Sequence, residues 1–315
     1  MLAYLVRRVI GLLPILVMMS VIVFVLIRLV PGDPIDVMYG SEGMDTARRA
    51  ALSHELGLDQ SIVVQYGRWV WRAVHGDLGN SYRASMPVVS LIGQRLPATL
   101  LLAGTALVIS LLIAVPLGVL AAVRRNSWVD FSALGFAIFG ISLPNFWAGM
   151  VLVLIFAVWL HWLPAIGYVS PARNLGQFLA DLILPALTLG WSLSGTTTRL
   201  ARSSMLEELG KDYVRTARGK GLREETVLLV HGLRNALIPL ITMVGLQLGF
   251  LLGGVVVVEA VFAWPGIGLL VVDSIFARDY PVVQGVVLVV AVMVVLVNLM
   301  VDILYTIVDP RIRLG

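Results

Sequence analysis

Positions 204–221 read SMLEELGKDYVRTARGKG, the longest charged, helix-prone stretch between two apolar blocks of membrane-span length. Ser204 and Glu207 have capping-box spacing, which predicts a helix starting near Met205 and ending at Gly210. Asp212 then caps a second helix over Tyr213–Lys220, with Gly221 as its left-handed stop. Tyr213, Ala217 and Gly221 recur at four-residue steps and share a face with a small residue at its centre. Arg215, Arg218 and Lys220 fan around that face. A short helix with an aromatic, a small residue and a basic rim suits docking into a groove on another protein. Charge alone fits a solvated basic loop equally well.

Away from this stretch the chain is apolar. Hydrophobic residues make up 59% and charged residues 13%, against about 25% charged in a soluble domain, and the charges are clustered. This excludes a globular enzyme with one large core and predicts an all-α polytopic membrane protein. The basic residues sit beside the apolar runs, where orientation and anionic lipid account for them, so nucleic acid is not an expected partner. There is no cysteine, hence no disulfide framework and no thiolate ligand or nucleophile. His54, His75, His161 and His231 are too scattered to predict a metal site, and no cofactor is expected on this chain.

The order of apolar runs predicts six spans with both ends cytoplasmic. Segment 1–30 holds a retained first span, Val9–Leu29, with Arg28 snorkelling at its outer end. Segment 31–97 is one long extracytoplasmic stretch. It opens with the turn cluster PGDP at 31–34 and carries amphipathic helices over Thr46–Leu56 and Val63–Val74. Trp69 and Trp71, near Tyr66, suit a membrane interface. A core over 98–308 supplies five more spans: 98–122, broken by Pro116 and Gly118; 131–160, containing Gly140 and Pro144; 183–198; 236–258; and Pro281 or Val282 to Val308. The loop 199–234 carries Arg199, Arg202, Lys211, Arg215, Arg218, Lys220, Arg223 and Arg234. One Arg or Lys at the bilayer centre costs roughly 2.5–3.5 kcal/mol, so this loop belongs in the cytoplasm, as does the tail 309–315.

Within the core, Asn145 follows a span-interrupting proline and is a candidate for the translocation path; a packing kink explains it as well. Gln247, the polar residue nearest mid-span in the fifth run, is a second pathway candidate. Gly245, Gly249 and Gly253 form a stripe that lets another helix approach, either within the chain or from a second subunit.

DYVRTARGKGL at 212–222 and HGLRNALIPLIT at 231–242 resemble the cytoplasmic loop in membrane subunits of bacterial ABC importers, most closely the dipeptide, oligopeptide and glutathione permease family. ELGLDQ at 55–60, GDLGNS at 76–81 and the block from Gly245 through Ile275, continued by RDYP at 278–281 and Gln284, resemble the same family. The last block looks nearest to its glutathione branch. The resemblance implies a type I permease fold with a coupling helix seated in a cleft of an ATPase subunit. Its residues here are Asp212, Tyr213, Arg215, Thr216, Ala217, Lys220 and Gly221. The broader importer pattern begins Glu-Ala-Ala where Arg215, Thr216 and Ala217 stand, and Gly221 matches its glycine. The segment holding Glu259, Trp264, Pro265, Gly266 and Gly268 resembles a family signature and implies a partly re-entrant outer gate; a Pro/Gly-rich structural turn is the alternative.

The implied partners are a second homologous permease, one or two cytoplasmic ATPase subunits, membrane lipid, and an extracytoplasmic substrate-binding protein that 31–97 meets if it forms a small cap over the outer mouth; an inert loop is the alternative for that segment. No GxxxxGK[ST] loop is present, so ATP and Mg are expected in partner subunits and the chain is not itself an enzyme. The implied cargo is short peptides or glutathione, moved by alternating access in a bacterial inner membrane. Nickel or a metal chelate is an alternative cargo for the same architecture. A secondary transporter is the alternative of another class, and it lacks the mid-span charges and inverted repeats such proteins use. Neither GxSxG nor HExxH is present, which argues against an intramembrane enzyme.

Overall fold

The computed structural model describes residues 2–29, 45–55 and 59–308. The PGDP turn, positions 56–58 of ELGLDQ and the tail 309–315 lie outside them. The described chain is built of helices, with longer non-helical stretches at 75–87 and 160–174; a helix satisfies its backbone polar groups within its own segment, as lipid demands.

The chain divides into two compact units. The first comprises Met1–Pro97 and Gly266–Val295, so the stretch that the sequence assigns to the permease core from Gly266 on groups with the N-terminal segment. It contains α1 (Leu2–Leu29), α2 (Thr46–Glu55), α3 (Ile62–Val74) and α12 (Ile267–Phe276), with the first parts of α4 (Val88–Val123) and α13 (Tyr280–Val308). The two amphipathic helices fall where their spacing puts them. Helix α3 packs on the C-terminal half of α1. The Ser20 and Tyr66 hydroxyls are 2.8 Å apart. Phe24 lies edge-on to Tyr66 at 5.2 Å and 5.8 Å from Trp69. Arg28 lies over the Phe24 ring at 3.6 Å and hydrogen-bonds Gln65, so α3, rather than water alone, receives its guanidinium. Leu78, Val88, Ile92, Ile267, Val282 and Val286 form the core of this unit.

The second unit comprises Ala98–Pro265 and Leu296–Gly315. It contains the rest of α4 and α13, with α5 (Trp128–Ser142), α6 (Asn145–Leu152, continuing as a π-helical stretch Val153–Trp159), α7 (Leu175–Leu209) and α8 (Asp212–Gly219). A single turn, α9 (Glu224–Thr226), leads through π-helical Val227–Leu233 into α10 (Arg234–Gly254) and then α11 (Val256–Val261). Leu102, Leu184, Leu251, Val258 and Trp264 are fully buried in the core of this unit.

Three expectations are corrected here. The run 98–122 is not broken at Pro116 and Gly118, because α4 is continuous; Gly118 instead gives Ala201 of α7 room to approach. The run 131–160, read as one span interrupted at Pro144, is bent far beyond a packing kink. The chain turns by 107° between α5 and α6, at Leu143–Pro144, where both residues are extended. The fourth run is not short. Helix α7 holds 35 residues and carries on through Arg199 and Ser204 to Leu209, so no helix starts at Met205. Met205 is fully buried against Ala122 and Ala236, and that packing overrides the capping-box signal.

Among the described residues four helices are long and apolar enough to cross a membrane: Val88–Val123, Leu175–Leu209, Glu224–Leu251 and Tyr280–Val301. The bent pair makes up to five, and the apolar stretch Ile10–Val25 of α1 is shorter. Among the described residues the count of six is therefore not reached by length and apolarity.

Candidate functional site: the basic helix and its anchors

Helix α8 begins one residue earlier than the capping rule puts it. Lys211 is the extended N-cap and makes no side-chain cap bond, and Asp212 is the first helical residue, where its charge still complements the helix dipole. The stop is as expected. Gly221 has φ +75°, its N–H donates to the Arg218 carbonyl at 2.9 Å, and the Leu222 N–H donates to the Ala217 carbonyl at 3.4 Å. This pair of bonds is a Schellman motif, and a residue with a Cβ would be strained at Gly221.

The facing of α8 differs from the sequence reading. Val214 and Ala217 are buried against Val227 and Leu209, so Ala217 looks into its own chain and cannot sit at the centre of a docking face. Val214, three residues before it, is the aliphatic anchor that decides which side turns inward. The exposed side carries Asp212, Arg215, Thr216, Lys220 and Gly221. Thr216 donates back to the Asp212 carbonyl at 3.0 Å, and Arg215 lies 3.4 Å from the Asp212 carboxylate.

Tyr213 joins three elements. Its hydroxyl lies 2.5 Å from the Glu208 carboxylate of α7 and 3.0 Å from the His231 carbonyl in the π-helical stretch, and it accepts from the Asn235 amide of α10 at 3.0 Å. Partial burial, then the bond to Glu208, raise the phenol above its ordinary pKa, so it remains a donor at neutral pH. Lys211 also meets Glu208, at 2.5 Å, and that bond raises the ammonium above its usual range. Arg218 and Glu224 form a two-bond pair at 2.6 and 3.1 Å across the Gly221 turn. Helix α8 is therefore tied at both ends and along its inner face to the two long helices that flank it.

The other predicted residues are scattered. Gln247 is buried, and its amide donates to Thr197 at 2.8 Å and to the Leu193 carbonyl at 3.1 Å. It ties α10 to α7. Asn145 opens α6 and is half-exposed. At Gly245 a Cβ would collide with Val301 of α13, so this part of the stripe packs within the chain; Gly249 lies beside Asn298, and Gly253 faces open space. Glu259 is fully buried and accepts from Thr99 at 2.6 Å. Trp264 is also fully buried, with its indole N–H on the Ala98 carbonyl at 2.9 Å and its ring edge-on to Tyr168 at 4.9 Å. Both serve as packed anchors in this conformation. Pro265 ends the first segment of the second unit, and Gly266 is the extended residue before α12, where Gly268 is buried.

Two arrangements escaped the sequence reading. Asp130, at the start of α5 and only 1% exposed, takes a bidentate pair from Arg202 of α7 at 2.6 and 2.7 Å. The signal was available in the Ser127–Asp130 helix start, where the Ser127 hydroxyl accepts from the Asp130 N–H. Asp279 of RDYP accepts from the Ser81 hydroxyl at 2.5 Å, the Tyr82 N–H at 3.1 Å and the Arg83 N–H at 3.4 Å. Two of the quoted motifs thus meet, and sequence spacing carries no hint of contact at such range.

Long apolar helices, with a basic amphipathic helix anchored to two of them, fit a membrane component of a transport system. The chain belongs to the family described as binding-protein-dependent transport system inner membrane component, whose model matches residues 114–314; the model of that family's N-terminal region matches residues 1–103. It is 42% identical to the dipeptide transport system permease protein DppB of Escherichia coli (strain K12), over 99% of each chain. It is 45% identical to the glutathione transport system permease protein GsiC of Salmonella paratyphi A (strain ATCC 9150 / SARB42), again over 99% of each. Among solved structures it is similar to a chain of the inward-facing MetNI methionine ABC transporter, with TM-score 0.58 and 17% identity, covering 70% of this chain and 96% of that one. That likeness supports the fold.

Proposed function

We propose that this chain is the membrane-spanning subunit of an ATP-driven importer of short peptides and that α8 is the element through which a cytoplasmic ATPase moves it. The carrying observation is the anchoring of α8. Its polar side is free, while Tyr213, Val214, Ala217, Lys211 and Arg218 bind it to the ends of α7 and of the α9–α10 segment. A push on the free side is passed to two spans at once. ATP and Mg belong to the partner subunits, and both chain ends lie in the cytoplasm. A second permease completes the path, and an extracytoplasmic binding protein delivers cargo. Peptide as cargo rests on the likeness to the dipeptide and glutathione permeases.

The test uses the absence of native cysteine. Thr216→Cys, in the full chain co-expressed with its partners, is expected to cross-link to the ATPase subunit through a short bifunctional maleimide. It is also expected to be labelled by an impermeant maleimide only from the cytoplasmic side. Labelling from outside, or cross-linking to the binding protein instead, overturns the assignment.

A further inference from the structure

Helix α3 has two apolar sides, and among the described residues only one is packed against the rest of the chain. Tyr66 and Trp69 face α1. Val63, Gly67, Trp71 and Val74 follow at helical steps on the other side, with Val64 beside Trp71. Val63 is 78% exposed, Val74 77% and Trp71 69%. Arg68, Arg72 and His75 flank this stripe along one edge, and α3 contains no acidic residue. Arg72 lies 2.8 Å from Asp77, and the His75 ring lies 4.3 Å from Trp71, tilted by 43°.

The depth of α3 identifies what covers the stripe. Its partners on α1 are Ser20, Phe24 and Arg28, successive at four-residue steps and not confined to the last turn. At 1.5 Å per residue these span about 12 Å along α1. A helix packed beside the outer turns of a span lies at the level of headgroups and upper acyl chains, not above them. An exposed aliphatic stripe with a tryptophan and a cationic edge is the pattern of an interfacial helix.

We propose that α3 lies in the outer membrane–water interface. Val63, Trp71 and Val74 enter the acyl boundary, and Arg68 and Arg72 reach the phospholipid phosphates. The occupant of the stripe is phospholipid, not a protein partner. The inference rests on α1 crossing the membrane and is independent of cargo and of the ATPase.

Nitroxide labels on Val63→Cys and Val74→Cys, each in the full chain with its partner subunits in phosphatidylcholine–phosphatidylglycerol nanodiscs, test it. Both labels are expected to be relaxed strongly by oxygen and weakly by a water-soluble nickel chelate, at a depth of about 5–10 Å below the phosphates. Strong relaxation by nickel, as at an Asp77→Cys control, means that water covers the stripe and overturns the proposal. Shielding from both reagents, or shielding that appears only when the binding protein is added, means that protein covers it and overturns it equally. The position-216 labelling described above reports orientation separately. A cytoplasmic α3 would show there, whereas a failure of lipid contact shows only at positions 63 and 74.

Discussion

Tyr213 concentrates the connection between α8 and its flanking helices in one oxygen, which meets Glu208, His231 and Asn235. Tyr213→Phe removes that oxygen and leaves the ring. The expected loss is about 1 kcal/mol of local stability. Because the exposed side of α8 is untouched, ATPase binding should persist while transport per ATP falls severalfold, as read by peptide uptake and phosphate release in the same proteoliposomes. Parallel loss of ATPase association would assign Tyr213 to the docking surface instead. At Asp279 the expected effect is purely structural. Asp279→Ala strands the Ser81 hydroxyl and the N–H groups of Tyr82 and Arg83, at a cost of about 2–3 kcal/mol. Tryptic cleavage at Arg83 should become rapid in a variant that still inserts.

At the scale of elements, close approach and backbone sign decide more than propensity. Gly245→Val places a branched side chain against Val301, so α10 and α13 must separate. The expected outcome is a lower melting temperature of the purified chain, partly restored by the second-site change Val301→Ala. Gly221→Ala keeps volume small but puts a Cβ at φ +75°, costing about 1–2 kcal/mol. Hydrogen exchange at Leu222 should quicken as the Schellman bonds fray. Element ends were the part the sequence showed least well. Gly221 was legible because its stop depends on residues within one turn. The false start at Met205 was not, because Ala122 and Ala236, far along the chain, hold that side chain inside α7. Ala217 was assigned to the wrong side for a related reason: four-residue steps name a face, but only Val227 shows which face turns inward.

For the molecule as a whole, composition and charge clustering were enough for a helical membrane protein, and the motif order was enough for its family. The division into units was hidden. Nothing local to Gly266–Val295 shows that it belongs with Met1–Pro97, since that grouping rests on Leu78, Val88 and Ile92 meeting Ile267, Val282 and Val286. The same holds for Asp279, whose nearest motif partner is 198 residues earlier. This separation has a consequence during synthesis. At 5–20 residues per second, roughly 10–40 s pass between the appearance of Ser81 and that of Asp279. Through that interval the segment around GDLGNS has been made but lacks the carboxylate that closes it. The N-terminal unit is therefore begun first and closed only late in synthesis, and a chain stalled before Asp279 leaves its opening segment open to proteases and chaperones.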